Sequence, residues 1–186
     1  MTERNDSFVP SSSKGAKGKA LVVFVGNKLM LDDGIGPYAY EDLLEAYQMP
    51  DNVLLKEVGC MSLDLIPYVR DCDLVVTVDA VLGTGEPAGT VFEFSPEDMA
   101  RNSGANASLH DLKLVDLFDA AMLLGYEAEG ICLGMQAENI EPAEYVVGLT
   151  PQCADAMPLL VETIAATLHR HGYDVRRKDG SDLPLR

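Results

Sequence analysis

Short apolar runs alternate with amphipathic stretches along most of the chain, and that alternation sets the expected fold. KALVVFV (19–25) reads as a buried strand, since hardly a polar side chain interrupts it. From Pro37 to Tyr47 apolar residues recur at helical spacing, with proline where a first turn accepts it. VLLKEV (53–58) predicts a second strand, and Met61 to Val69 a short helix whose later part Pro67 disturbs. DLVVTVD (73–79), nearly all apolar or β-branched, predicts a central strand that ends at Asp79. LGTGEPAGTVFEF then gives a glycine-rich loop and a strand at 89–94, antiparallel because its connection is too short for a helical crossover. A helix starts at Leu109, where Ser108 and Asp111 form a capping-box pattern, carries Leu112, Val115, Phe118 and Met122 on one face, and stops at Gly125. GICLGM (130–135) predicts another strand, and Pro151 to Arg170 a long closing helix. The order predicts an α/β fold, a three-layer α/β/α sandwich with a mostly parallel sheet of about five strands.

Composition narrows this further. The 186 residues, 47% of them hydrophobic, suit one core, which we place at 19–172. Residues 1–18 are Ser-, Gly- and Lys-rich and read as a flexible tail, as does the charged stretch 173–186. Acidic residues outnumber basic ones 30 to 14, a formal charge of -16 that repels phosphate backbones and anionic lipid. Nucleic acid and membrane are therefore poor partners, and a cation or a basic protein segment is favoured. No apolar leader is evident, and the run Ala20 to Val25 is far short of the ~20 residues that cross a bilayer, so a soluble, cytoplasmic protein is expected. Cys60, Cys72, Cys132 and Cys153 form no paired motif and read as thiols in a reducing compartment.

In an open α/β sheet ligands sit beyond the carboxyl ends of the strands. Three residues at such positions carry metal-ligand chemistry: Asp33, in the loop after the first strand; Asp79, at the end of the central strand; and His110, in the first turn of the helix from 109. The positive end of a helix dipole favours a neutral imidazole, the form that donates a lone pair to a metal. Two carboxylates and an imidazole with open positions suit nickel or zinc without choosing between them. From spacing alone Asp33 also fits a turn or cap, Asp79 a loop cap and His110 an exposed helix start. His169 and His171 lie at a helix C-terminus, where positive charge complements the dipole. Gly26, Gly34 and Gly36 are too widely spaced for a dinucleotide fingerprint, and P-loop, GxSxG and HExxH signatures are absent. Cys60 is marked as a nucleophile by nothing beyond its loop position.

The order GN-x-L-M-x-D-D-G-x-G after a first strand, VDAV at the end of another, SLHDLKLVD opening a helix, and EPAEYVVGLTP resembles the hydrogenase maturation protease family from about Lys19 to His171. The resemblance implies a three-layer α/β/α endopeptidase of aspartic or nickel-recognising type. Its partner would be the immature large subunit of a nickel-iron hydrogenase, from which it removes a C-terminal extension once nickel is in place. By motif position the family's metal-contacting residues fall on Asp33, Asp79 and His110. The nickel is carried by the substrate, and no organic cofactor is implied. A non-cleaving nickel- or precursor-binding chaperone is the alternative. The chain departs from the family pattern in having Phe24 at the first position of Gly-x-Gly-Asn, and Asp33 where several members carry Glu.

Overall fold

A computed structural model describes residues 18–59, 63–96, 98 and 117–183. Strand β1 (Lys19–Val25) leads through a 3-10 turn (Leu31–Gly34) into helix α1 (Ile35–Ala46) and a two-residue strand β2 (Tyr47–Gln48). Strand β3 (Val53–Val58), a 3-10 turn (Leu63–Leu65) and helix α2 (Ile66–Val69) follow. Pro67 does not disturb α2, because it stands in the first turn, where its missing N–H costs nothing. Then come β4 (Cys72–Val81), β5 (Val91–Phe94), a helical segment α3 (117–123), β6 (Glu129–Gln136), α4 (Pro151–Arg170) and β7 (Arg176–Arg177). The helix start expected at 109, with its capping box, lies outside the described residues, while Gly125, at φ 78°, follows α3 as expected.

The main sheet has the order β3-β1-β4-β6-β5. All neighbours are parallel except β5, which runs antiparallel to β6 as its short connection predicted. Helices α1 and α4 cover one face, over Ala20, Val22, Phe24, Val76 and Val78. On the other face α2 and α3 pack with Leu21, Val23, Val25 and Val75. Being covered on both faces is why β1 and β4 are apolar at consecutive rather than alternate positions.

Two expectations are corrected. The central strand does not end at Asp79: the ladder with β6 continues through Ala80↔Met135 and Val81↔Gln136, so the acid sits inside the strand, two residues from its end. Nor is the chain loose from residue 173. Tyr173 and Val175 are buried in the core, and β7 pairs antiparallel with β2 through Tyr47↔Arg177 and Gln48↔Arg176. The Lys178 amide donates to Ala46 O at 2.9 Å, extending the clasp. Two apolar residues among many charges carry little signal locally, and their partners stand more than a hundred positions earlier.

Candidate functional site

The parallel order reverses direction between β1 and β4: from β1 the chain moves outward to β3, then returns past β1 to form β4. Loops leaving these neighbouring strands diverge, and the crevice between their carboxyl ends is where such sheets place ligands. Asp33 belongs to the loop after β1, and Asp79 to the last residues of β4.

The first loop closes tightly on itself. Gly26 has φ 136°, and a Cβ there would stand 1.9 Å from the Asp33 carbonyl oxygen, so only glycine lets the Asn27 amide reach that oxygen at 3.0 Å. Gly36 has a similar constraint, since a Cβ would lie 2.1 Å from Val25 O, and α1 thereby starts directly against the end of β1. Between these glycines the Asp33 amide donates to Met30 O at 3.2 Å, and the residue is only 8% exposed. Asp33 is thus held at the end of β1 by backbone packing.

Asp79 is 7% exposed, and its Oδ1 accepts the Ala80 amide at 2.7 Å. Register pairs Phe24 with Val78, so the next step along β4 brings Asp79 level with the end of β1. Val76, Val78 and Ala80 face α1 and α4, so by alternation Asp79 belongs to the opposite face, the one on which α3 packs. His110, upstream of α3 in sequence, lies outside the described residues. Among the described residues no group of three His, Cys, Asp or Glu side chains gathers closely enough to hold a metal ion. Asp33 and Asp79 are the members of the expected trio that the structure describes.

Sequence reasoning missed Asp32. This carboxylate is fully buried and accepts the amides of Glu138 at 3.0 Å, Asn139 at 3.1 Å and Thr150 at 2.7 Å. The Thr150 hydroxyl adds a bond of 3.0 Å to each oxygen. Its own amide donates to Asn139 O at 3.2 Å. One acid therefore fastens the loop after β1 to the loop after β6 and to the start of α4. Its donors come 106 to 118 residues later, so nothing beside it marks the role; the only clue is that two adjacent acids cannot both face the same way.

Gln136 was missed for the same reason. Its Oε1 accepts the Thr84 hydroxyl at 2.5 Å and the Thr84 amide at 3.2 Å, anchoring the glycine-rich loop after β4 to β6. Nearby, burial pushes the Cys153 thiol up, so it stays neutral and acts as packing, as the unpaired cysteines predicted. Cys60 is outside the described residues. His171 caps the end of α4 with Nδ1 2.7 Å from Thr167 O and Nε2 3.3 Å from Glu129, at the start of β6 and so away from this rim.

Comparison with known proteins adds independent findings. Residues 37–167 match the family model described as hydrogenase maturation protease, a span that includes Asp79 and His110 and begins after Asp33. Hydrogenase expression/formation protein HupD of Rhizobium leguminosarum bv. viciae is 30% identical over 169 residues, 89% of this chain and 82% of that protein. Hydrogenase 2 maturation protease of Escherichia coli (strain K12) is 27% identical over 157 residues, 84% of this chain and 94% of that protein. Among solved structures, the hydrogenase maturating endopeptidase HybD from E. coli superposes with a TM-score of 0.79 at 26% identity, covering 88% of this chain and 99% of that one. The NiFe hydrogenase maturation protease HybD from Thermococcus kodakarensis gives 0.64 at 26% identity, covering 78% and 96%.

Proposed function

Because the chain belongs to the hydrogenase maturation protease family, we propose that it is the endopeptidase that removes the C-terminal extension from the nickel-loaded large-subunit precursor of a nickel-iron hydrogenase. The observation that carries this reading to a site is that two nearly buried carboxylates, Asp33 and Asp79, stand at the carboxyl ends of adjacent strands where the sheet reverses its order. On this reading Asp33, Asp79 and His110 complete the coordination of a nickel ion that arrives with the substrate, and so hold the scissile bond beside it. Water adds to the scissile carbonyl carbon, the C–N bond breaks, and the proton from water leaves on the new amine. A carboxylate beside that water can take its proton, and a metal-bound carbonyl or water reacts more readily.

Nickel is then a recognition signal: a precursor without it offers the three side chains nothing to coordinate. On this reading the enzyme acts in the cytoplasm. No helix among the described residues is long and apolar enough to cross a membrane.

The test is incubation with nickel-loaded and nickel-free precursor, with products weighed by mass spectrometry. Cleavage of the loaded form alone is expected, and Asp79→Asn or His110→Ala should abolish it while leaving the urea midpoint near wild type. Equal cleavage of both precursors would overturn nickel recognition. Stable binding of the loaded precursor without shortening would leave a non-cleaving chaperone instead.

A further inference from the structure

Beside the first loop runs a segment that sequence analysis noted only as part of EPAEYVVGLTP. Val146 forms a parallel bridge to Met30: its amide donates to Leu29 O at 2.9 Å, and its carbonyl accepts the Leu31 amide at 2.9 Å. In extended backbone the amide and carbonyl of one residue point to one side and those of its neighbours to the other. Tyr145 and Val147 therefore turn their backbone groups away from the first loop, and neither makes a backbone hydrogen bond among the described residues. Their side chains share one face, and the two residues are 79% and 70% exposed. Leu29, on the other side of the bridge, is 48% exposed. An apolar edge with unpaired backbone is a template for another extended chain.

We propose that Tyr145–Val147 is a docking strand for the substrate's own chain, an extended apolar segment next to the scissile bond that adds as a strand and carries Lys or Arg at its flanks. This deepens the functional reading above and rests on it. The charge follows from Glu138, Glu141 and Glu144, which are exposed in the same loop and form no ion pair with another described residue. A second copy of this chain, at a formal charge of -16, is disfavoured as occupant by the same field. Position supplies the remaining argument. The bridge ties the docking strand to residues 29–31, and Asp33 lies two residues further on, so a peptide laid along Val147 is delivered to the rim that holds Asp33. Backbone pairing provides affinity for any sequence, and the exposed Tyr145 and Val147 side chains provide preference for apolar residues.

Two measurements test it. In a mixture of the Asp79→Asn chain with nickel-loaded precursor, amide exchange at Tyr145 and Val147 should slow by about tenfold or more, as for amides that gain a strand partner. In cleavage assays the double variant Tyr145→Ser, Val147→Ser should raise KM by about tenfold or more, about 1.4 kcal/mol, since both changes strip apolar surface from the contact. Val147→Pro, which removes the outward-facing amide while keeping an apolar side chain, should raise KM in the same direction; Val146 before it is a bridge residue, and thermal unfolding checks that the variant folds. Wild-type KM in these variants, or unchanged exchange in the complex, would overturn the docking strand. Protection without precursor, in a dimer seen by light scattering, would also overturn it and assign the edge to self-association. If wild type binds the precursor without cutting, the functional reading falls while the exchange result still decides the docking strand. If it does not bind at all, both fall.

Discussion

Replacing Asp32 by alanine removes an acceptor on which three amides and a hydroxyl converge. The acceptor itself is fully buried, and without it the three part-buried amides lose a charged partner inside the fold. A hydrogen bond to a charged group contributes roughly 1.5–3 kcal/mol, and the members of one cluster do not add independently. Breaking a buried charged cluster by deleting one partner costs about 3–5 kcal/mol, so about 4 kcal/mol is expected here. For a domain of this size that lowers Tm by about 8–16 °C. Asp32→Asn keeps one acceptor oxygen but turns an NH2 toward incoming N–H groups, and should lose about 2–3 kcal/mol. Thr150→Val deletes only the hydroxyl and should lose about 1 kcal/mol. Urea unfolding followed by circular dichroism measures all three. Amide exchange at Glu138, Asn139 and Thr150 should accelerate selectively in Asp32→Ala, because those are the donors released. A loss under about 1 kcal/mol in Asp32→Ala, or exchange unchanged at those amides, would refute the claim that this carboxylate fastens the rim.

Other outcomes follow from the same geometry. Gly26→Ala forces a Cβ to within 1.9 Å of Asp33 O at φ 136°, and should destabilise by about 2 kcal/mol or more and reduce precursor cleavage, both read from one purified variant. Tyr173→Ala should lower stability by about 3–5 kcal/mol in urea, as for a core aromatic; an effect near zero would return residues 173–177 to the status of a loose tail. Burial pushes the Glu93 carboxyl up, but the Arg170 guanidinium at 2.5 and 2.7 Å and the Thr167 hydroxyl outweigh it and hold it below the usual carboxylate range. The stability this pair adds is present above the ordinary carboxylate pKa and is lost as pH falls through the lower, folded value. Arg170→Met should therefore flatten the acid side of the stability curve slightly, by about 0.2–1 kcal/mol, since both groups are partly exposed.

How much of this was legible beforehand depended on where each signal resides. Local pattern was enough for β1, β3 and α4, whose bounds are those expected, because a doubly buried strand or a helix with a core face must show its period within its own residues. It also drew attention to Asp79 as a candidate, since an acid within so apolar a run is conspicuous. Local pattern stopped short at β4, where an acid interrupted the run but the ladder to β6 carried the strand to Val81.

The sequence by itself determined the layer architecture and the antiparallel edge strand, both of which follow from the period and polarity of contiguous residues. Only the tertiary structure decided that Asp32 is the buried fastener, that Gln136 holds the loop after β4, that Tyr173 to Arg177 clasp β2, and that Val146 pairs with the first loop on one edge only. Those roles belong to pairs of residues far apart along the chain, and a hydrogen-bond donor leaves no trace in the sequence around its acceptor.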